Sequence, residues 1–330
     1  MNARRIIKRS PKVTTLLGLV ISTLALTTPQ NPALADHVNQ VDAQDEVVRV
    51  NTNLVTVPAT VMDRDGRYIT DLKKDDFQIF EDGVEQEVAF FGPVEQPFTI
   101  LFLLDVSSSM TPNVKDLTRA ANAFVGELRP DDRLSAVSFD DWVKVLFQFT
   151  KVSDLRKDIK LRPGNSTWLY DAVGYALKHM KRVRGRKAIV LFSDGIDSRD
   201  LASPRGNLRE AEEQDTLIYT VQFSASFWSP FAAQNEKGFH KSIEVADNYM
   251  RDLAQRTGGR RYEVENILDL SKTFGEVADE LRRQYSLGYY PKRQLAVGQR
   301  RQIKVKVRIP NLVVQARDSY IVDQERVKAK

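Results

Sequence analysis

The sequence predicts a doubly wound α/β domain with a mostly parallel sheet, accompanied by a small β-sandwich-like unit built from the segments on either side of it. Three observations lead there. Two continuous apolar runs, 98–104 (FTILFLL) and 188–192 (AIVLF), have the pattern of strands buried on both faces, as in a parallel sheet. Short β-type runs alternate with helical periodicity from 98 to 290. Alternating, β-branched stretches lie at both ends, and neither end can close a core by itself.

The elements follow in order. The run 47–61 (VVRVNTNLVTVPATV) is β-branched and partly alternating, which suggests a long strand. Asp65-Gly66 and Asp82-Gly83 are turn signals, with strands expected at 77–80 and 84–91 around the second. After the buried run 98–104 come helical spacing over 114–128, strands at 134–139 and 143–149 separated by Asp140-Asp141, and an amphipathic helix over 170–183. The buried strand 188–192 precedes a helix at 207–215 and a strand at 217–221. A helix at 247–256 stops at Gly258-Gly259, a C-cap signal. A strand at 260–264, a helix at 267–283 and a strand at 284–290 complete the α/β part. The tail returns to β structure: 301–309 (RQIKVKVRI) alternates strictly, so one face is wet, and 312–322 suggests one more strand. The expected organisation is therefore a leader at 1–35 and a polar linker at 36–46. A β unit at 47–95, the α/β domain at 96–290 and a β segment at 291–330 packing with 47–95 follow.

The 330 residues suffice for one large domain and a smaller one. The net charge of +5 is not a nucleic-acid footprint. Residues 1–35 carry Arg4, Arg5, Lys8, Arg9 and Lys12 and no acid; without those five, the 49 Lys and Arg fall to 44, equal to the 44 Asp and Glu. That same stretch reads as a secretory signal. A basic segment precedes an apolar run at 13–28, and Ala33-Leu34-Ala35 matches a small-x-small cleavage site before Asp36. The run falls short of the roughly 20 residues of a membrane span, although an uncleaved anchor is the alternative. The expected location is the periplasm, the cell surface or the medium, with no membrane span once the signal is removed. Arg4-Arg5 is a weak pointer to a twin-arginine route. The chain has no cysteine, which excludes disulfides, thiol catalysis and Cys-ligated zinc.

The chemistry concentrates on three loops. Asp105-Val106-Ser107-Ser108-Ser109 directly follows the first buried strand, and Ser193-Asp194-Gly195 directly follows the second. Ligands of open α/β sheets bind beyond the carboxyl ends of the strands. The loop 163–168 (PGNSTW) before a helix offers Thr167. The three loops bring carboxylates and hydroxyls without nitrogen or sulfur, a donor set that suits Mg²⁺, Mn²⁺ or Ca²⁺. Taken singly, Ser, Thr and Asp are also ordinary cap and turn residues. Asp171 reads as part of a helix start, and Asp197 and Asp200 as solvated.

The order D-x-S-x-S after an apolar strand, Thr before L-Y-D-A, and S-D-G after a second apolar strand resembles the metal-ion-dependent adhesion site of von Willebrand factor A domains. All five positions match: Asp105, Ser107, Ser109, Thr167 and Asp194. The resemblance covers about 96–290. The segments DLKKDDFQIFEDG (71–83) and QYSLGYYP (284–291) are similar to exported bacterial proteins of the VWFA-related type. The resemblance implies that Ser107, Ser109 and Thr167 contact the metal or its waters, and that Asp105 and Asp194 supply charge directly or through water. It implies a coordination position left for a partner's carboxylate, and a last helix, 267–283, able to shift.

The expected function is an exported, non-enzymatic adhesion or protein-binding module, using Mg²⁺ (or Mn²⁺ or Ca²⁺) to hold an acidic group of a protein or surface polymer. Two other readings stay open. One is a structural subunit or scaffold of an envelope assembly, with a regulatory or vestigial metal site. The other is a metal-dependent hydrolase, for which a single hard ion could act as Lewis acid. The sequence has no G-x-S-x-G, P-loop or H-E-x-x-H, and His37, His179 and His240 are scattered. The segment 223–246, with Phe223, Phe227, Trp228, Phe231 and Phe239, leaves a strand's carboxyl end and is a candidate partner surface, or else a locally packed loop.

Overall fold

The computed structural model describes residues 54–92, 96–198, 203–224 and 236–324, without the side chains of 236–240. The chain divides into Met1–Arg49 and Val50–Lys330. The expected signal, the linker and residues 225–235 of the aromatic segment, Trp228 included, lie outside the described residues, as does Asp200.

Four strands precede the α/β region: β1 (Val55–Met62), β2 (Phe77–Glu81), β3 (Val84–Gln86) and β4 (Phe90–Gly92). The strand expected over 84–91 is thus two short ones. Then come β5 (Thr99–Asp105), α1 (Val114–Glu127), β6 (Arg133–Phe139), β7 (Val143–Lys151) and α2 (Leu169–Met180). They are followed by β8 (Lys187–Ser193), α3 (Pro204–Glu213), β9 (Leu217–Phe223), α4 (Glu236–Thr257) and β10 (Arg261–Val264). The helix α5 (Leu270–Arg282) leads into β11 (Tyr285–Tyr289), and the chain closes with β12 (Arg300–Val307), β13 (Val313–Ala316) and β14 (Ser319–Ile321).

The large sheet has the order β10-β9-β8-β5-β6-β7. Its strands are parallel except β7, which pairs antiparallel with β6. The apolar run of β5 is explained by its position: it is central and covered on both faces. Ile100, Phe102 and Leu104 join a core with Leu117, Ala121 and Phe124 of α1 and Phe274 and Val277 of α5. Leu101 and Leu103 join the opposite core with Val173 and Leu177 of α2 and Met250 and Leu253 of α4. The Phe102 ring lies 4.7 Å from Phe124 and 5.0 Å from Phe274, a three-aromatic contact that fixes α1 and α5 on one face. The buried residues of α2 recur at helical spacing (Leu169, Ala172, Val173, Ala176, Leu177 and Met180), which is why one stripe of it packs on the sheet.

The helix α4 starts about eleven residues earlier than its periodicity suggested. Its stop is where the glycine pair placed it. Gly258 takes φ +86°, and Gly259 N–H donates to Ala254 O at 3.0 Å, closing the last turn in left-handed fashion.

The flanks form two four-stranded antiparallel sheets, β13-β1-β11-β4 and β14-β12-β2-β3. Both contribute to one core: Val55, Val57, Ala59 and Val61 of β1 pack with Phe77 and Ile79 of β2, Ile303 of β12 and Tyr320 of β14. One placement differs from the expected boundary at 290. The strand β11 belongs to the flanking unit, where it pairs with β1 and β4. Its five residues are all buried, as a strand in the large sheet would also be, so the pattern could not name its partner. Only two residues, Arg283 and Gln284, separate it from α5.

Candidate functional site

The paired strands β5 and β8 end side by side, with Leu104 in register with Phe192. The helix after β5, α1, packs on one face of the sheet, while α3, after β8, belongs with the other face. The strand ends therefore open onto a crevice at a topological switch point, where doubly wound folds bind ligands. Asp105 is the last residue of β5, and Asp194 is the first residue after β8.

Asp105 is wholly buried. Its Oδ1 accepts from Ser107 N–H at 2.9 Å, and its Oδ2 accepts from Ser193 Oγ at 2.6 Å. Ser107 and Ser109 bring their Oγ atoms to 3.1 Å of each other. The Ser109 hydroxyl lies near the Asp194 carboxylate and favours its charged form. Asp194 Oδ1 accepts from Ile196 N–H at 3.0 Å. Three of the five expected positions, Asp105, Ser107 and Ser109, are thus connected by hydrogen bonds, and Asp194 lies beside them. Thr167, the fifth, is buried and is held by its loop. Thr167 O accepts from Ser198 N–H at 2.8 Å, Asn165 O accepts from Ser108 N–H at 2.7 Å, and Gly164 N–H donates to Val106 O at 2.7 Å. The loop carrying Thr167 is therefore tied to the loops of both aspartates.

Burial pushes the Asp105 carboxyl up to about 7, and the neighbouring Asp194 charge adds to the effect. Burial likewise raises Asp194. Among the described residues neither carboxylate has an ion-pair partner, and no three His, Cys, Asp or Glu side chains are arranged to hold a metal ion by themselves. Two neighbouring buried carboxylates without a counter-charge are costly when ionised unless a cation balances them. The all-oxygen donor set fits a hard divalent ion and does not fit a soft one.

Several residues of the site escaped the sequence reading. Ser193 donates to Asp105 and accepts from Gly195 N–H at 3.0 Å, orienting the first carboxylate from the second strand. Its only signal was adjacency to Asp194. Gln222, at the end of β9, donates to Asp194 O at 3.2 Å and to Asp247 Oδ1 at 2.7 Å, and accepts from Arg261 Nε at 2.8 Å. It ties the Asp194 loop to α4 and β10, a contact that no local pattern announces. Asp197, expected to be solvated, instead accepts from Tyr170 N–H at 3.1 Å at the start of α2. The bond is available because Ser198 pins that loop to Thr167. Asp171 lies in the first turn of α2, as expected.

The fold and its oxygen-donor cluster define a doubly wound α/β domain with carboxylates and hydroxyls gathered at the carboxyl edge of its parallel sheet. A family model, the von Willebrand factor type A domain, matches residues 99–276, more than half of the chain. The chain belongs to that family. Curated relatives include a UPF0353 protein of Mycobacterium tuberculosis, 24% identical over 204 residues, or 55% of this chain and 60% of that protein. A UPF0353 protein of Mycobacterium leprae is 25% identical over the same extent. The chain thus spans about 60% of the length of the curated relatives it matches. Among solved structures, the von Willebrand factor type A protein from Catenulispora acidiphila is similar with a TM-score of 0.43 and 10% identity, covering 76% of this chain and 74% of that one. Proximal thread matrix protein 1 from the mussel byssus, solved with a zinc-occupied MIDAS motif, has a TM-score of 0.45 and 15% identity, covering 61% and 49%.

Proposed function

We propose that this chain is an exported binding module that uses a divalent cation, Mg²⁺ in the first place, to capture a carboxylate on a partner protein or surface polymer. The observation that carries the reading is the pair of buried aspartates, Asp105 and Asp194, lacking a counter-charge and facing Ser107 and Ser109 at the sheet's carboxyl edge. Domains of this family are generally interaction modules and typically hold a divalent metal. Here Ser107, Ser109 and Thr167 would supply neutral oxygens, and Asp105 and Asp194 would supply the charge. When bound, the cation offers an electrophilic position for an oxyanion, because two carboxylates at most offset its charge. Ser193 and the Ser107 N–H hold Asp105 in one orientation, so the site is preorganised before a ligand arrives. Export rests on the basic-apolar-small pattern of residues 1–35. Among the described residues no helix is long and apolar enough to cross a membrane.

Calorimetric titration of Mg²⁺, Mn²⁺ and Ca²⁺ into the chain beginning at Asp36 tests the reading, with Asp194→Ala in parallel. Saturable binding in the parent that disappears in the variant is expected. Equal binding in both, or none in either, would overturn it.

A further inference from the structure

Trp142 is the most exposed aromatic side chain among the described residues, at 66%. It sits on the connection 140–142 between β6 and β7. Because Asp105 and Phe139 are in register, this connection lies at the same sheet edge as the candidate metal site. The turn is made by the backbone and by Asp140. Asp140 N–H donates to Trp142 O at 3.1 Å, and Trp142 N–H donates to Asp140 Oδ1 at 2.8 Å. Nothing in such a turn requires an indole, and a large apolar side chain left in water is the informative kind of exposure.

The indole is backed by a second one. The rings of Trp142 and Trp168 lie 6.0 Å apart at 45°. Trp168 directly follows Thr167, and its N–H donates to Asp140 O at 3.0 Å. Gly164, on the same loop, approaches Asp140 so closely that a Cβ there would meet the Asp140 side chain at 2.3 Å. The aromatic pair, the Asp140 turn and the loop carrying Thr167 therefore form one supported surface. The charge beside Trp142 is net negative: Lys144 Nζ lies 2.6 Å from Asp140 Oδ2 and offsets that carboxylate, and Asp141 adds a second one. A row of anions is disfavoured there, whereas one apolar group is welcome.

We propose that Trp142, supported by Trp168, is the second half of the ligand surface, and that the partner is a protein segment carrying an Asp or Glu with an apolar side chain close by in sequence. The carboxylate takes the metal site and the apolar side chain lies on the Trp142 indole. This rests on the carboxylate-capture reading given above. Strands are spaced about 4.8 Å apart, so the indole lies on the order of 10 Å from Asp105, a reach of two or three extended residues. Tryptophan is among the side chains that most often anchor protein interfaces.

The probes are two acetylated, amidated peptides, Leu-Gly-Asp-Gly-Leu and Gly-Gly-Asp-Gly-Gly, titrated into the ¹⁵N-labelled chain with saturating Mg²⁺. The indole N–H signals of the chain's three tryptophans are followed, with Trp142 assigned from Trp142→Phe. The leucine peptide should bind about tenfold more tightly than the glycine peptide and shift the Trp142 signal. Trp142→Ala should remove that advantage while keeping the parent's Mg²⁺ affinity by calorimetry. Equal affinities of the two peptides, an unmoved Trp142 signal, or no binding of the leucine peptide at millimolar concentration overturns the proposal. So does a tetragalacturonate that shifts Trp142 where the leucine peptide does not. If Mg²⁺ itself fails to bind, the carboxylate-capture reading falls. If the leucine peptide keeps its advantage after its Asp is replaced by Asn, metal capture of the carboxylate falls and the indole contact stands.

Discussion

Asp105 combines total burial, which raises its carboxyl to about 7 with the help of the Asp194 charge, with a backbone N–H donor from Ser107 and a hydroxyl donor from Ser193. Its unfolded reference is 3.8, so the sign of its effect on stability is fixed. Between those values the metal-free folded chain holds a proton that the unfolded chain has released. The contribution is fully present below about 4 and drains away as pH rises through about 7. Lowering the pH from about 8 to about 6 should raise the melting temperature of the metal-free protein by roughly 2–5 °C. Saturating Mg²⁺ should abolish the rise, because the bound form keeps both carboxylates ionised. Asp105→Asn should behave at both pH values like the protonated parent, while binding no metal. Scanning calorimetry at the two pH values, with and without Mg²⁺, checks all three statements; an Asp105→Asn protein less stable than the metal-free parent at the higher pH would contradict them. Ser193→Ala removes the donor to Asp105 Oδ2 and should weaken Mg²⁺ binding about 10- to 100-fold with the fold retained. Isothermal calorimetry beside circular dichroism reads both.

Loops and element ends carry the next level of specification, and glycine marks the tightest places. Gly259 follows the left-handed turn that ends α4, and a Cβ there would meet the Ile218 carbonyl oxygen at 2.1 Å, against rigid backbone of β9. Gly259→Ala should cost about 1–3 kcal/mol, read as a lower urea midpoint with unchanged slope. The Asp140 turn and the loop carrying Thr167 meet through Gly164 in the same manner. Buried strands and amphipathic helices were legible because their periodicities are local properties of consecutive residues. The early start of α4 was not, since Gly238 and the charged residues among its first eleven (EKGFHKSIEVA) thin out the apolar stripe that a periodicity reading detects.

At the scale of the molecule, the flanking sheets and the α/β domain share a buried junction. Glu280 of α5 is fully buried, accepting from Tyr219 of β9 at 3.1 Å, from Tyr262 of β10 at 3.0 Å and from Gln315 of β13 at 3.2 Å. Arg260 Nε lies 3.3 Å away. Removing the carboxylate in Glu280→Ala would leave two phenols without this acceptor and the Arg260 guanidinium without its counter-charge, at a cost of about 3–5 kcal/mol. Because β11 continues α5 almost directly, the α/β domain and the flanks should unfold in one transition. A clear second calorimetric peak in either the parent or the variant would contradict this.

The residues by themselves determined the alternation of the α/β core, the two central strands, the five oxygen-bearing positions and the need for the two β flanks to meet. Each follows from apolar periodicity, or from the placement of carboxylates and hydroxyls just after a buried run, and both are readable along the chain. Only the tertiary structure decided that β11 leaves the large sheet for the flanking one, that Ser193 orients Asp105 across the strand gap, that Gln222 braces the Asp194 loop and that Trp142 stands beside the site. Those outcomes depend on which elements become neighbours in space, and a pairing between distant segments is set by the sum of packing over the whole fold rather than by any stretch of it.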